Sequence, residues 1–506
     1  MSKPSRRPAR ELRKQRLKAQ KKLRRQLQGQ GLESVASASL PNCTSRLSTP
    51  QEEQQMRQDT AVEHFKILAA QLPSLLSRLA RIPDPRQPKK IRHRLTMVLL
   101  MGILSFVFQM GSRREANRRM SLPTFLANLQ LLVPELDVES LPHQDTLCRL
   151  LESLEDVGEI EQAHLDLIER LLRWKKFRRY LIEGRYPIAI DGTQKWARDW
   201  PWSDEALERT VGSGEQKRSQ YYVFVLEACL AFANGMVIPL MSEFLSLSEG
   251  DLAKSRQDCE QRAFQRLARR LKKRFPRLKI LLLLDGLYPT GPIMALCRSY
   301  HWRFMIVLQD ASLPSVWEEF EGLKMLQLEN RLEQDWGDRR QRFTWVNEIE
   351  YIDSSPQPRR LTIHVVVCDE TWETVDPCGK TVEHRSRHAW VSSQPLHPNN
   401  LHQHCNLAAR HRWGIEANIL VEKHQGYHYE HCFAYDWNAM KGYHYLLHLG
   451  HLINILARYS ERLQETIRSL GVRGYLEFLR ETIASPWLDP KTVRARLSLP
   501  FQIRLV

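Results

Sequence analysis

Two acidic residues follow strongly apolar runs of the sequence. Asp191 ends the run in YPIAIDGTQ, and Asp285 ends the run in KILLLLDGLYPTG. Each is followed by Gly, and Asp-Gly is a common turn, so either acid alone could be plain turn chemistry. Two acids at the ends of two strands of one α/β layer could instead meet at one edge of a sheet. Carboxylates brought together in that way indicate a metal site.

A third carboxylate lies on a predicted helix, within ARHRWGIEANILVEKHQG. Glu416 follows Arg412 by four residues and precedes Lys423 by seven, so the three side chains project from one helix face. A surface salt bridge between Arg412 and Glu416 would explain the first pair. A metal-binding acid flanked by two cations that hold a phosphate would explain all three residues.

Three carboxylates without His or Cys ligands favour a hard cation such as Mg²⁺. Two such ions about 3.5 to 4 Å apart can activate an attacking oxygen and stabilise a leaving one in phosphoryl transfer. We therefore expect Asp191, Asp285 and Glu416 to be catalytic metal ligands. Arg412 and Lys423 are expected to bind the phosphate.

The overall charge indicates a polyanionic partner. Lys and Arg number 75 against 58 Asp and Glu, which gives a net charge of +17. Between Lys3 and Arg25 there are 12 basic residues and one acid, Glu11. Such a run is usually a solvated arm, but it can also bind a polyanion with salt-dependent affinity. Because the rest of the chain is basic too, we expect a nucleic acid as the partner.

Cysteine usage and hydropathy favour a reducing, non-membrane location. The nine cysteines are scattered without a CxxC pair, which argues against a disulfide framework. No apolar segment follows the basic N-terminus, so we expect no secretory signal. The most apolar segment, from Leu95 to Gly111, is shorter than the roughly 20 residues that cross a bilayer. It is typical of a buried core helix.

Changes in pattern along the chain predict several parts. Apolar residues at helical spacing come first, and a strand, a hairpin and alternating helices and strands follow. We therefore predict an α/β fold in which a mixed sheet with helices against it carries an inserted antiparallel β unit and follows an all-α bundle. The predicted parts are a basic arm and linker over 1–57, a helical DNA-binding bundle over 58–180, a catalytic core over 181–309 and 401–460, the β insertion over 310–400 and a helical tail over 461–506.

These features resemble the DDE transposases of bacterial insertion sequences, in particular those with a ribonuclease H-like core interrupted by a β-strand insertion. In that family the first Asp closes the first strand, the second Asp closes the fourth, and Glu comes from a helix after the insertion. Asp191, Asp285 and Glu416 fit those places. The family's helix signature is Tyr, Arg, Glu and Lys, and RWGIEANILVEK supplies the last three at the family's spacing. The Tyr position holds Ala409.

The resemblance implies a DNA transposase. Such relatives bind the terminal inverted repeats of their own element, cut at its ends and join the freed 3′-hydroxyl to target DNA. They typically act as two protomers on double-stranded DNA, and the expected cofactor is two Mg²⁺ ions, which Mn²⁺ can replace. A protein of this kind would be a bacterial, cytoplasmic protein associated with the nucleoid.

Two other functions stay open from the sequence. A related metal-dependent nuclease would hydrolyse DNA without joining ends. A sequence-specific DNA-binding protein descended from a transposase would explain why Ala409 replaces the Tyr of the signature.

Further residues have alternative interpretations. A zinc site could use two groups with no standard spacing: His424, His428, His431 and Cys432, with His402, His404 and Cys405. Trp336 and Trp345 of the insertion could stack on an unpaired base, as an aromatic residue of the insertion does in the relatives. Glu243 is either a supplementary acid or, as we expect, a carboxylate exposed to water.

Overall fold

The structure, a computed structural model, describes residues 14, 15, 18, 45–136, 139–247, 258–353, 358–375 and 381–506. The predicted basic arm therefore lies outside the described residues, except at 14, 15 and 18. Helix α1 begins at Pro50, so residues 50–57 of the predicted linker are helical. Thr49 accepts a hydrogen bond from the backbone N–H of Glu52, which satisfies one free donor of the first turn.

The N-terminal part of the described chain is helical, as the apolar spacing predicted. The helices before the sheet are α1 Pro50–Leu79, α2 Leu95–Val107, α3 Arg113–Met120, α4 Pro123–Leu132, α5 Gln144–Ser153 and α6 Gly158–Arg173. Those that follow are α7 Glu260–Arg274, α8 Gly291–Ser299, α9 Pro314–Leu323, α10 Pro398–Leu401, α11 Trp413–His424, α12 Trp437–Arg458, α13 Gln464–Ala484 and α14 Pro490–Leu497.

The most apolar segment is a core helix. Almost every residue of α2 is buried, and the helix packs against α12, which is buried along most of its length. Gly450 permits this contact, because a Cβ there would lie 2.7 Å from the Cβ of Phe106. Among the described residues, no helix is both long and apolar enough to cross a membrane.

One mixed sheet follows the helical part. Its strands are β1 Tyr186–Arg198, β2 Leu207–Val211, β3 Arg218–Ala231, β4 Val237–Leu245, β5 Ile280–Leu284, β6 Arg303–Val307, β7 Arg331–Trp336, β8 Arg339–Ile352, β9 Arg360–Val375 and β10 Thr381–Ser392. From one side to the other the order is β2, β3, β1, β5, β6, β10, β9, β8 and β7, with β4 also paired to β3. The predicted hairpin of β3 and β4 is confirmed, since the two strands pair antiparallel.

The sheet contains both parallel and antiparallel strand pairs. The pairs β1 with β5 and β5 with β6 are parallel, whereas β1 with β3 and β3 with β4 are antiparallel. Strands β7 to β10 form an antiparallel unit, and β10 joins it to β6 by antiparallel pairing. Helix α9 packs against β8. The fold is thus mixed α/β after a helical region, and its antiparallel strands continue the same sheet.

Helix α11 reaches the sheet through an irregular segment. The sequence predicted a helix within residues 409–426, but α11 begins only at Trp413. A π-helical stretch, His402–Ala408, and a 3-10 turn, Ala409–Arg412, precede it. Helix α11 then packs on β1, β3 and β4. A 3-10 turn has three residues per turn, so Arg410 and Arg412 project to different sides. Arg410 pairs with Glu370, whereas Arg412 pairs with Asp191 and Glu416.

Candidate active site

Asp191 lies in the middle of a strand, and the prediction that its strand ends there is wrong. Strand β1 continues to Arg198 because β3 pairs with it along almost its whole length, and Asp191 stands opposite Glu227. The parallel pairing of β1 with β5 stops earlier, at Ala189. Asp191 therefore lies just beyond the point where β1 and β5 separate.

Asp285 follows the last residue of β5 directly, as predicted. It also performs the turn chemistry that was the alternative: its Oδ1 accepts a hydrogen bond of 2.9 Å from the backbone N–H of Leu287. The turn holds the carboxylate at the end of the strand, on the wall of an open groove. Turn formation and a place in a site are therefore compatible for this residue.

Arg412 links the acid of the sheet to the acid of the helix. Its Nη2 donates to Glu416 Oε1 at 2.9 Å, and its Nη1 lies 3.7 Å from Asp191 Oδ2. The guanidinium is buried, whereas the side chain of Glu416, in the first turn of α11, is 35% exposed. The salt bridge between Arg412 and Glu416 that the spacing allowed is thus present, but it joins α11 to β1 and is not an isolated surface pair.

The three acids influence one another electrostatically. Burial, with smaller contributions from the charges of Glu416 and Asp285, raises the pKa of Asp191 to about 6 against the lowering effect of Arg412. Within the described residues, the three carboxylates do not bring one oxygen each within 4.8 Å of one another. Glu416 and Asp285 thus lie close enough to act on the charge of Asp191, and Arg412 lies between Asp191 and Glu416, but the three carboxylates do not converge on one point.

Lys423 lies apart from these acids. Its Nζ is 3.0 Å from Glu430 Oε1, and it does not line the groove that contains Asp285 and Glu416. Seven residues along an α-helix correspond to about 10 Å, so sharing a helix face does not place two side chains at the same point.

A fourth carboxylate, which sequence reasoning did not assign to the site, lies close by. Glu260 is the first residue of α7, as expected of an acid at a helix N-terminus. A Cβ on Gly192 would lie 2.9 Å from its Oε1, and Tyr288 donates a hydrogen bond to its Oε2 at 3.4 Å. Burial and the charge of Asp285 raise the pKa of Glu260. The only sequence signal was its position at the start of a helix.

Glu243 is not exposed to water, so that expectation is wrong. It is buried in β4, and its carboxylate accepts hydrogen bonds of 2.7 Å from both Arg266 and Arg270 of α7. Arginines spaced four residues apart on a helix face the same strand and neutralise this acid. Glu243 fastens α7 to the sheet.

A groove of about 1820 Å³ runs past Asp285 and Glu416, and Asp191 is not part of its lining. Its wall contains three acids, Asp285, Asp310 and Glu416, and seven arginines, which are Arg339, Arg387, Arg410, Arg412, Arg458, Arg468 and Arg473. Trp413 also lines it and is 61% exposed, one helical turn before Glu416. An exposed Trp in a basic groove is typical of a binding surface. Sequence reasoning did not single this residue out.

Neither Trp336 nor Trp345, the two candidates of the insertion, offers a free ring. Trp336 is 3% exposed and Trp345 is 2% exposed, because both point into the packed face of the strands. The suggestion that they stack on an unpaired base therefore does not fit their burial. Trp336 instead lies under the guanidinium of Arg410, at 5.0 Å from the ring centre.

None of the residues proposed for zinc forms a ligand cluster in the described part of the chain. The group that does bring three ligand atoms within 4.8 Å is Glu227, His444 and His448, all buried. Both oxygens of Glu227 already accept hydrogen bonds, from Ser242 Oγ at 2.7 Å and from Tyr429 OH at 3.0 Å. Protein groups therefore satisfy this acid.

That group belongs to a larger set of buried ionisable residues, here called the buried polar cluster: Lys195, Glu227, Glu422, His444, His448 and His451. Glu422 Oε1 lies 2.7 Å from His451 Nδ1. Burial alone would raise the pKa of Glu422, but the charges and hydrogen bonds of His448 and His451 lower it instead. Burial lowers the pKa of Lys195 to about 8.

Comparison with known proteins supports the family resemblance in part. Residues 76–168 match the family model described as DDE_Tnp_1-associated, a domain found in DDE transposase families. The matched segment runs from the end of α1 into α6 and so lies in the helical region, before the candidate acids. No curated protein matches the chain. The match indicates a transposase-related protein.

Proposed function

We propose that the protein is a DNA transposase that cuts at the ends of its insertion element and joins 3′-hydroxyl ends to target DNA by metal-dependent phosphoryl transfer. The observation that carries this proposal is the position of Arg412 between Asp191 and Glu416, with Asp285 at the end of the neighbouring strand. Asp285, Arg412 and Glu416 line a groove rich in arginine. The family match in the helical region supports the same function independently.

The strand order supports a ribonuclease H-like core. Numbered by appearance, the five strands β1, β3, β4, β5 and β6 lie in the order third, second, first, fourth and fifth. The first three are antiparallel, and the last two run parallel to the first. In this order the first and fourth strands are neighbours, which is where the resemblance requires the two Asp residues. The strand order is therefore consistent with the positions that the resemblance gives to Asp191 and Asp285.

The donor set fits a hard divalent cation. Asp191, Asp285 and Glu416 offer carboxylate oxygens, and no His or Cys stands among them, which suits Mg²⁺ or Mn²⁺. When bound, such a cation activates the attacking oxygen and neutralises charge on the leaving oxygen. Arg412 orients Glu416 and reduces the repulsion between Glu416 and Asp191. Its Nε and Nη1 are buried and have no hydrogen-bond partner in the described structure.

The remaining assignments follow the resemblance. We propose double-stranded DNA as the partner, namely terminal inverted repeats and target DNA, held by a homodimer. Lys423 pairs with Glu430 outside the groove, whereas Arg412 lines it, so Arg412 is the better placed of the two proposed phosphate ligands. Ala409 is buried beside the groove, and no ring stands where the signature has Tyr.

The test uses the purified protein, Mg²⁺ and a plasmid that carries the DNA flanking its reading frame. Asp191→Ala should abolish cleavage and strand transfer while DNA binding survives. Asp310→Ala is the matched control, because Asp310 is an exposed acid of the same groove outside the proposed site. Full cleavage by Asp191→Ala would remove this residue from the mechanism.

An experiment with a pre-cut DNA end distinguishes a transposase from a nuclease. A transposase should insert an end with a free 3′-hydroxyl into a target plasmid, whereas a nuclease should only hydrolyse DNA. The absence of Tyr at position 409 favours a third function, sequence-specific DNA binding without catalysis. Binding of the flanking DNA with no cleavage in Mg²⁺ or Mn²⁺ would establish that function instead.

A further inference from the structure

Three arginines, from the β7 to β10 unit and from the 3-10 turn before α11, form one part of the lining of this groove. Arg339 begins β8, Arg387 lies in β10, and Arg410 lies in the 3-10 turn before α11. All three line the same groove as Asp285 and Glu416. We call these three residues the arginine wall. Nothing in the phosphoryl-transfer chemistry proposed above requires them.

A single buried acid holds two of these arginines. The carboxylate of Glu370, in β9, is fully buried, and its Oε2 lies 2.7 Å from Arg339 Nη1. Its Oε1 pairs with Arg410 Nη2 and also accepts a hydrogen bond of 2.5 Å from Gln341 Nε2. Burying an acid is unfavourable unless it is paired. Here one negative charge compensates two positive ones, so the group keeps a net positive charge at the groove.

Aromatic rings fix the planes of the same guanidinium groups. Arg339 lies over Trp372, at 4.3 Å from the ring centre, and Arg410 lies over Trp336 and Trp390. Stacking and ion pairing together restrict rotation of a long side chain before any ligand arrives. Arg410 Nε is buried and has no hydrogen-bond partner in the described structure. The guanidinium groups of Arg339 and Arg410 are therefore oriented before a ligand binds.

We propose that the arginine wall binds consecutive phosphates of the DNA strand beside the reacting phosphate, and that Glu370 is a positioning residue that holds Arg339 and Arg410 for this contact. This proposal rests on the proposed function and deepens it. The partner is the sugar-phosphate backbone and not a base, because Trp336 and Trp390 are buried beneath Arg410. Planar guanidinium groups match phosphate oxygens in geometry as well as in charge.

The test compares arginines of the same strands inside and outside the groove. Arg340 and Arg385 are exposed, pair with Glu333 and Glu383, and do not line the groove. In the Asp191→Ala protein, affinity for a fluorescent 30-base-pair duplex of mixed sequence is measured from 50 to 200 mM salt. Loss of one phosphate contact should lower the slope of log affinity against log salt by about 0.9.

Arg339→Gln and Arg387→Gln should each show that loss, while Arg340→Gln and Arg385→Gln should change the slope by much less. Equal effects in the two pairs would overturn the proposal, since all four variants remove the same charge. Arg387 is exposed, so its variant reports on binding even if Arg339→Gln unfolds. Cleavage is not measured, and a protein that binds in this way but never cuts would contradict the proposed function alone.

Glu370→Gln tests positioning separately from charge. This variant removes a negative charge, so a carboxylate that only reduced the net charge of the groove would leave binding tighter. A positioning residue would leave binding weaker and the salt slope smaller, because Arg339 and Arg410 lose their common anchor. Unchanged or tighter binding by the folded variant would refute the role of Glu370. If the variant does not fold, Arg410→Gln against Arg340→Gln decides whether this anchored arginine contacts the strand.

Discussion

The candidate acid site (Asp191, Asp285, Arg412 and Glu416) and the buried polar cluster are built on the same elements. Strand β1 carries Asp191 and Lys195, and α11 carries Glu416 and Glu422. The two groups nevertheless differ in exposure. The side chains of Asp191 and Glu416 are 18% and 35% exposed, whereas that of Glu422 is 1% exposed. A few residues along each element therefore separate the partly exposed candidate acid site from the buried polar cluster.

The difference also concerns how charges are compensated. In the buried polar cluster, Glu422 pairs with His451, and Glu227 accepts hydrogen bonds from Ser242 and Tyr429. In the candidate acid site there are three acids, and in the described structure Arg412 is the one basic residue that pairs with any of them, namely with Asp191 and Glu416. Unbalanced negative charge beside an open groove is suited to binding a cation, whereas balanced charge in a core contributes to the fold.

The largest expected effect is on catalysis at the candidate acid site. Glu416→Gln keeps the shape of the side chain and removes its charge, so DNA cleavage should fall by about 10³-fold or more, equivalent to roughly 4 kcal/mol. The free energy of unfolding should change by less than about 1 kcal/mol, because Glu416 is partly exposed and the buried Arg412 keeps its contact with Asp191. Cleavage assays and urea unfolding measure the two quantities. Cleavage by this variant at the rate of the unaltered protein would show that Glu416 is not required for catalysis.

The same substitution one and a half turns later should act on stability. Glu422→Gln leaves the buried histidines without their carboxylate, and breaking such a pair costs about 3 to 5 kcal/mol. Urea unfolding of this variant and of Glu430→Gln makes the comparison, since Glu430 is an exposed acid paired with Lys423. If both variants were equally stable, the buried polar cluster would not be a stabilising element.

A smaller effect is expected for the exposed ring beside the acids. Stacking of one base on an aromatic side chain contributes about 1 to 3 kcal/mol, so Trp413→Ala should weaken binding of DNA with an unpaired end by roughly 5-fold or more. Trp174→Ala is the control, because Trp174 is 52% exposed and does not line the groove. Fluorescence anisotropy with a frayed duplex measures the difference. Equal affinities would show that Trp413 contributes nothing to DNA binding.

The smallest expected effect is the pH dependence of stability that the buried ammonium of Lys195 causes. The pKa of Lys195 is about 8 when folded and about 10.5 when unfolded, so the unfolded chain binds more protons between these values. The contribution of Lys195 to the free energy of unfolding therefore rises with pH in that window and is unfavourable below it. From pH 7.5 to 9.5, the unaltered protein should gain about 1 to 2 kcal/mol relative to Lys195→Met. A constant difference would mean that Lys195 titrates normally.

Several elements were predictable because short-range patterns encode them. The helical region, the core helix at Leu95–Val107 and the hairpin of β3 and β4 follow from apolar periodicity and turn residues. The position of Asp285 after β5 was predictable for the same reason. The continuation of β1 beyond Asp191 was not, because it depends on pairing with β3, a partner some 30 residues away in sequence.

Residue types and spacing alone indicated that Asp191, Asp285 and Glu416 could form one acidic group and that Arg412 could reach Glu416. Only the tertiary structure decided that Arg412 also meets Asp191, that Glu260 lies against Gly192, and that Lys423 pairs with Glu430 elsewhere. Local sequence determines which way a side chain leaves its strand or helix. Which charges then become neighbours depends on how β1, β5 and α11 pack together, and that packing is set by the apolar surface buried between them.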